Sequence, residues 1–134
     1  MTRLEPGLTA TVTLTVGAND TATAFASGAV AVLATPRLIG LLEEAASLAV
    51  QPVLTEGQTT VGTHVDMRHL AATPIGMRVT AHAELVGVDG RKLSFRIHAY
   101  DAREPVAEGT HERMIVERAR FLERVKQKAD SEGK

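Results

Sequence analysis

The amino-acid sequence predicts an α+β fold in which one early helix packs on one face of an antiparallel sheet. The longest stretch with a helical period of apolar residues lies near the start of the chain, over residues 35–50. From Thr59 onward the period changes to two and returns in four successive segments. A chain of 134 residues is long enough for one hydrophobic core, so we expect a single domain over residues 1–134.

The expected elements follow one another without a linker or a repeat. Residues 9–16 alternate Thr with apolar side chains and predict a first strand, and the Ala-rich residues 20–34 predict a loop with short irregular structure. After the central helix, strands are expected at 59–69, 76–88, 92–99 and 105–116. Asp89-Gly90 signals a tight hairpin, and residues 101–104 form a second hairpin connection. A terminal helix is expected from Glu117 to about Lys128, with the last few residues frayed.

The central helix contains the most informative pattern of the chain. Thr35 is its expected N-cap, and Pro36 fits the first helical position, where a missing N–H is not needed. At about 100° per residue, the centre of the apolar stripe is formed by Leu38, Leu42, Ala45 and Ala49. Glu44 falls on the opposite, polar arc, whereas Glu43 lies on the shoulder of the apolar stripe. Because burying a carboxylate costs free energy unless the group is used, Glu43 is a candidate functional residue.

Strand parity sorts the histidines by the face of the sheet that they occupy. In the strand predicted over 59–69, apolar residues such as Val61 occupy odd positions, so His64 points away from the core and His69 ends the apolar face. By the same reasoning, His82 and His98 lie on the outward faces of their strands. The last strand has apolar residues on both parities, which leaves open the facing of His111 and Arg113.

Thr35, Glu43 and His69 together supply the groups that hydrolytic or acyl-transfer chemistry uses. A hydroxyl can attack or hold a water, a carboxylate can orient it, and an imidazole of near-neutral pKa can move the proton. Simpler interpretations stay open: Thr35 as a cap, His69 as a structural residue, and Glu43 as a side chain that reaches solvent. No other catalytic motif in the sequence competes with this set, and the histidines differ too much in facing to predict a metal site.

Composition excludes several classes of protein and partner. Fifteen Lys and Arg residues balance sixteen Asp and Glu residues, so the sequence lacks the excess of positive charge that is typical of nucleic-acid-binding proteins. The lack of cysteine excludes disulfides, thiolate catalysis and cysteine-ligated zinc. No stretch predicts a membrane span or a signal peptide, so we expect a cytoplasmic protein without a membrane partner. The strands beginning at Thr59 and Gly76 are expected to leave one long polar-faced edge, which a second copy would cover in a homodimer.

Five segments of the sequence resemble the hotdog-fold acyl-CoA thioesterases, and most closely the fluoroacetyl-CoA thioesterase subgroup. They are Phe25-Ala-Ser-Gly, Thr35 with Glu43 eight residues on, Val61-Gly62-Thr63, the run from His69 to Met77, and the run from Glu108 to Arg113. The last two, with the patterns H-x-A-A-T-P-x-G and G-T-H-E-R, are the most specific. The resemblance implies a long central helix wrapped by a curved antiparallel sheet of about five strands, and a homodimer with active sites at the subunit interface.

The same resemblance implies hydrolysis of an acyl-CoA thioester. It assigns Thr35, Glu43 and His69 to catalysis and makes the Gly62 N–H the donor to the thioester carbonyl and the developing oxyanion. It also assigns Arg113 to the site and Phe25 to substrate binding. Coenzyme A is part of the substrate, so no separate cofactor and no metal are implied. Covalent attack by Thr35 and attack by a bound water both stay open.

One departure from the subgroup bears on the acyl group. Members that confer fluoroacetate resistance have a bulky aromatic lid between the first strand and the catalytic threonine, whereas Phe25 is the single aromatic residue there in this sequence. We therefore expect an ordinary short or medium acyl-CoA as substrate. The alternatives are a non-catalytic acyl-CoA-binding hotdog module and a hotdog hydratase or dehydratase. The latter would use an Asp and a His near the start of the helix, and no His precedes His64.

Overall fold

The computed structural model describes residues 3–132, which form two α-helices and one five-stranded antiparallel sheet. The predicted α+β class is therefore confirmed, and the strand boundaries lie within two residues of those expected. The elements are β1 (Thr9–Thr15), α1 (Thr35–Val50), β2 (Gln58–His69), β3 (Arg78–Asp89), β4 (Lys92–Asp101), β5 (Pro105–Glu117) and α2 (Arg118–Glu132).

The longest segment outside these elements is residues 16–34, between β1 and α1. Two 3₁₀ turns, Ala18–Asp20 and Gln51–Val53, precede and follow α1. The terminal helix α2 continues to Glu132, beyond the expected end near Lys128. The expected fraying also concerned residues 133 and 134, which lie outside the described residues. Neither helix is long and apolar enough, over the part described, to cross a membrane.

The sheet has the strand order β1-β3-β4-β5-β2, and every neighbouring pair is antiparallel. The tight hairpin predicted at Asp89-Gly90 joins β3 to β4, and Gly90 supplies the positive φ of 61° that the turn requires. β3 lies inside the sheet, between β1 and β4, so the expectation that it forms an edge with β2 is wrong. β2 pairs with β5 alone among the described strands, and its other side is an open edge.

The hydrophobic core lies between α1 and the concave face of the sheet. The predicted apolar stripe of α1 is buried, and the inward faces predicted for β3 and β4 are confirmed by the burial of Val79, Ala81, Ala83, Leu85, Leu93, Phe95, Ile97 and Ala99. Both elements bury alanines: Ala45, Ala46 and Ala49 on α1, and Ala81 and Ala83 on β3. Small side chains allow close packing of a helix on a sheet.

β2 departs from simple alternation because it contains a β-bulge. Its register with β5 shifts between Gly62 and His64, so Thr63 is an extra residue without a partner of its own. Thr60 and Gly62 face α1 before the bulge, and His69 faces the core side after it. The prediction that Val61 belongs to the inward set is therefore wrong, since the bulge exchanges the two faces within the strand.

The start of α1 also differs from the prediction by one residue. Ala34 is the N-cap, with an extended ψ of 140°, and its carbonyl accepts the Leu38 N–H at 3.0 Å. Thr35 is the first helical residue and Pro36 the second, and no side chain caps the helix. The Thr35 hydroxyl is consequently not used as a cap and is available for another partner.

Candidate active site

The Thr35 hydroxyl is paired with the imidazole of His69. Thr35 stands on the first turn of α1 and His69 is the last residue of β2, and their Oγ1 and Nδ1 atoms lie 2.7 Å apart. A hydroxyl both donates and accepts, so either neutral tautomer of the imidazole makes this bond. The other ring nitrogen, Nε2, is buried and has no partner within residues 3–132. We call these two residues the hydroxyl–imidazole pair.

The hydroxyl–imidazole pair lies in the wall of a pocket of about 380 Å³. The remaining wall comes from the segment before α1 and from the residues directly after β2, mostly with small side chains: Ala22, Ser27, Val32, Leu33, Leu70 and Ala72. Burial lowers the pKa of His69 below its ordinary 6.5, and the backbone of Ala71 opposes part of this effect. The imidazole is therefore neutral at pH 7, which is the state that a general base requires.

A second group of polar residues surrounds the carboxylate of Glu43. The facing predicted from the helix is seen here, because Glu43 is half-buried while Glu44 is exposed. Its Oε2 lies 3.8 Å from Nη1 of Arg113, within ion-pair distance but too long for a hydrogen bond. A Cβ at Gly62 would come within 2.6 Å of the same Oε2, so only glycine leaves room for the carboxylate against β2.

Arg113 and His111 both face α1 from β5, which settles the facing that the sequence left open. Arg113 is 8% exposed, and its Nε and Nη2 donate to the hydroxyl and the carbonyl of Thr60 at 2.7 and 3.0 Å. His111 is fully buried beside it, and burial is the main cause that lowers its pKa. Sequence reasoning did not select His111, although its shared parity with Arg113 in the G-T-H-E-R run was a usable signal. Glu43, Gly62, His111 and Arg113 are called the carboxylate cluster below.

The hydroxyl–imidazole pair and the carboxylate cluster are separated from each other within one chain. Thr35 and Glu43 are separated by two helical turns, about 12 Å along the axis. His69 and Gly62 are separated by most of β2, about 20 Å along the strand. The structure of one chain therefore brings Thr35 to His69, and Glu43 to Gly62 and Arg113, but does not join the two groups.

Phe25, which was expected to bind substrate, lies outside the pocket beside Thr35. Phe25 is 43% exposed and does not belong to the residues that line the pocket beside Thr35. The described residues contain no group of three His, Asp or Glu side chains placed to hold a metal ion.

Comparison with known proteins identifies the family. The sequence profile of the fluoroacetyl-CoA-specific thioesterases, FlK, matches residues 16–119. The chain belongs to this family. It is also 42% identical over 97 residues to a fluoroacetyl-CoA thioesterase from Streptantibioticus cattleyicolor, an alignment that covers 72% of this chain and 70% of that protein. The resemblance found in the sequence is thus confirmed, and the protein is a thioester hydrolase.

Solved structures of FlK thioesterases and of a more distant protein have the same hotdog fold. A crystal structure of a mutant FlK superposes with a TM-score of 0.89 at 34% identity, over 96% of this chain and 99% of that chain. A mutant FlK in complex with fluoroacetate and CoA gives 0.83 at 35% identity, over 88% and 99%. A thioesterase superfamily member from Thermus thermophilus gives 0.86 at 27% identity, over 98% and 99%. The hotdog fold expected from the resemblance is confirmed.

Proposed function

We propose that this FlK-family protein hydrolyses a short or medium acyl-CoA to the free acid and CoA, with Thr35, Glu43 and His69 as catalytic residues. The observation that best supports the proposal is the 2.7 Å contact between Thr35 and a neutral His69 in the wall of a pocket. A relative of the same family has been crystallised with fluoroacetate and CoA, which supports an acyl-CoA substrate. A cytoplasmic location is part of the proposal, because CoA thioesters are made and consumed inside cells.

The proposed active site is formed by two chains. β2 has an open edge, and sheet edges of this length are usually covered. If two copies pair through β2 about a twofold axis, the strands run antiparallel, and the His69 end of one approaches the Gly62 end of the other. The hydroxyl–imidazole pair of one chain would then meet the carboxylate cluster of its partner. This arrangement would join the catalytic residues that a single chain keeps apart.

In this composite site, each group has a distinct role. His69 takes a proton from the Thr35 hydroxyl, or from a water that this hydroxyl holds, as oxygen attacks the thioester carbonyl. The Gly62 N–H, next to the bulge in β2, donates to the developing oxyanion. The carbon–sulfur bond breaks, and the proton from His69 passes to the CoA sulfur. Glu43 orients the water that completes the acid, and Arg113 attracts its carboxylate from 3.8 Å.

The pocket wall supports an acyl group larger than fluoroacetyl. The side chains around the hydroxyl–imidazole pair are those of Ala, Val, Leu and one Ser, and no Phe, Tyr or Trp lies among them. Phe25, which the resemblance assigned to substrate binding, lies outside this wall. A pocket without an aromatic lid gives little reason to discriminate between hydrogen and fluorine on a two-carbon acyl group.

A free-thiol release assay over a panel of acyl-CoA esters tests the proposal. The panel includes acetyl-, fluoroacetyl-, butyryl- and hexanoyl-CoA, and kcat/KM is expected to be higher for butyryl- or hexanoyl-CoA than for the two-carbon esters. A preference for fluoroacetyl-CoA would contradict the proposed acyl range. Binding of acyl-CoA without thiol release would contradict hydrolysis and favour the non-catalytic binding module.

A further inference from the structure

His111 is a buried imidazole that the proposed mechanism does not use. It is 1% exposed and lies under the ring of Phe95, with ring centroids 6.0 Å apart. Both of its nitrogens are nevertheless engaged. Nδ1 lies 2.8 Å from the carbonyl oxygen of His64 on β2, and Nε2 lies 3.2 Å from Nη1 of Arg113. A polar side chain with two specific partners in the core calls for an explanation beyond packing.

The two partners fix the protonation state of His111. A backbone carbonyl can only accept, so Nδ1 has the hydrogen and donates to His64. A guanidinium can only donate, so Nε2 is unprotonated and accepts from Arg113. His111 is therefore a neutral imidazole in a single tautomer, oriented by β2 and directed at Arg113.

Arg113 is held from two sides, and its remaining direction is towards Glu43. Thr60 accepts two of its hydrogen bonds through Nε and Nη2. His111 accepts from Nη1, and this same nitrogen is the one 3.8 Å from Oε2 of Glu43. The Glu43 side chain is 40% exposed, so the ion pair adds little to stability. The network is better explained by placement of the carboxylate than by stabilisation of the fold.

We propose that His111 is a positioning residue for Glu43. By accepting the Nη1 hydrogen of Arg113, it holds the guanidinium where it attracts the Glu43 carboxylate over Gly62. This inference rests on the proposed function, in which Glu43 is catalytic. The alternative is a purely structural role, in which His111 only ties β5 to β2 through the carbonyl of His64.

Two conservative variants separate these roles. In His111→Gln, the side-chain amide reaches the place of Nε2 and can accept from Arg113, but the bond to His64 is lost. In His111→Asn, the amide stays at the place of Nδ1 and can donate to His64, but it cannot reach Arg113. If His111 positions Glu43 through Arg113, the Gln variant should be the more active. If His111 only ties β5 to β2, the Asn variant should be the more active.

The measurement is kcat and KM for the acyl-CoA that the wild-type protein hydrolyses best. We expect His111→Gln to keep kcat within about tenfold and His111→Asn to lower it about 100-fold, with KM changed less than about threefold in both. The reverse order, or equal losses, would overturn the proposal. The same two substitutions at His98, which is exposed on the outer face of the sheet, serve as matched controls and should leave kcat unchanged.

Two further measurements do not depend on turnover. Crystal structures should retain the contact between Arg113 and Glu43 in His111→Gln and lose it in His111→Asn, and retention in both would overturn the proposal. Nitrogen-15 spectra of the wild-type protein should show His111 neutral with its hydrogen on Nδ1, and hydrogen on Nε2 would overturn it even if neither variant folds. If the wild-type protein hydrolysed no acyl-CoA, the proposed function would be wrong. The crystal structures and the nitrogen-15 spectra would still decide whether His111 positions Glu43.

Discussion

At the scale of single residues, His69 combines a specific partner with an environment that keeps it neutral. Its Nδ1 is bonded to Thr35, and burial lowers its pKa below 6.5. A second Thr–His pair, between Thr11 and His82, has a similar bond of 3.0 Å on the outer face of the sheet. The two pairs have the same chemistry, and the first lines the pocket beside α1, so they form a natural comparison.

We expect His69→Ala to lower kcat by about 100-fold or more, because the general base is lost. His82→Ala removes the imidazole of the outer pair and should leave turnover within about twofold. Thiol release under saturating acyl-CoA measures both. Equal effects of the two substitutions would show that the hydroxyl–imidazole pair is not the active site.

The pH dependence of turnover should follow His69. Its folded-state pKa is lowered below 6.5, so more than half of the imidazole is still neutral at pH 6.5. Activity should therefore stay above half of its plateau value down to pH 6.5 and be lost at lower pH. A pH profile of kcat/KM tests this, and an acid limb centred above 6.5 would contradict the assignment.

Glu43 and Glu44 are adjacent in sequence and differ in surroundings. We expect Glu43→Gln to lower kcat by about 100-fold or more, because the amide has no charge to pair with Arg113 or to orient water. Glu44 is exposed on the other side of α1, and Glu44→Gln should be nearly silent. Similar losses in both variants, measured by thiol release, would refute the role proposed for Glu43.

The sequence identified these residues to different degrees, for physical reasons. The amphipathic period of α1 separated Glu43 from Glu44, and strand parity placed His69 on the core side. The N-cap predicted at Thr35 was wrong, because the helix starts one residue earlier than its composition indicates. His111 was missed because its strand has apolar residues at both odd and even positions, so the sequence did not show which face His111 and Arg113 share.

At the scale of elements, the bulge in β2 creates the space for the Glu43 carboxylate. Before the bulge, even-numbered residues such as Gly62 face α1. After the bulge, odd-numbered residues face the core side, and His69 is one of them. Regular alternation over 59–69 could place only one of these two residues on the inward face. Alternating polarity predicts the strand, but the extra residue leaves no distinct mark in it, so the bulge was not predictable from the sequence.

Gly62→Ala should give a folded but much less active protein. The new Cβ would lie 2.6 Å from the Glu43 carboxylate, which has a flexible stem and can move aside. The displaced carboxylate should lower kcat about 100-fold, with a melting temperature near that of the wild type. Gly87→Ala is the matched control, since Gly87 also lies at a register shift of a strand but its Cβ would meet Ser94 at an ordinary 3.6 Å. Comparable kcat values for the two variants would contradict the prediction.

At the scale of the whole molecule, the order of elements and the buried faces of β3 and β4 were predictable because each strand there alternates cleanly. The position of β3 inside the sheet was not, since strand order depends on long-range pairing that local patterns do not encode. The same limit applies to the separation of the predicted catalytic residues. The sequence placed them in one site, whereas the fold of one chain divides them between two separate groups.

Mixing two inactive variants tests the composite site. Thr35→Ala damages the hydroxyl–imidazole pair, and Glu43→Gln damages the carboxylate cluster. If sites form between chains, a mixed dimer has one site with both lesions and one intact site, so random mixing should restore about a quarter of wild-type activity. Sites within single chains would give no recovery. Sedimentation of the same samples should show dimers at micromolar concentration, and a monomer would refute the assembly.

The open edge of β2 also has a consequence for the rate law. An enzyme whose site is complete in one chain gives a velocity proportional to its total concentration at every dilution. If each site needs two chains, the velocity becomes proportional to the square of the total concentration once most chains are monomeric. When the logarithm of the initial velocity is plotted against the logarithm of the enzyme concentration, the slope would then change from one at high concentration to two at high dilution. The concentration at the bend would give the dissociation constant of the dimer directly from turnover.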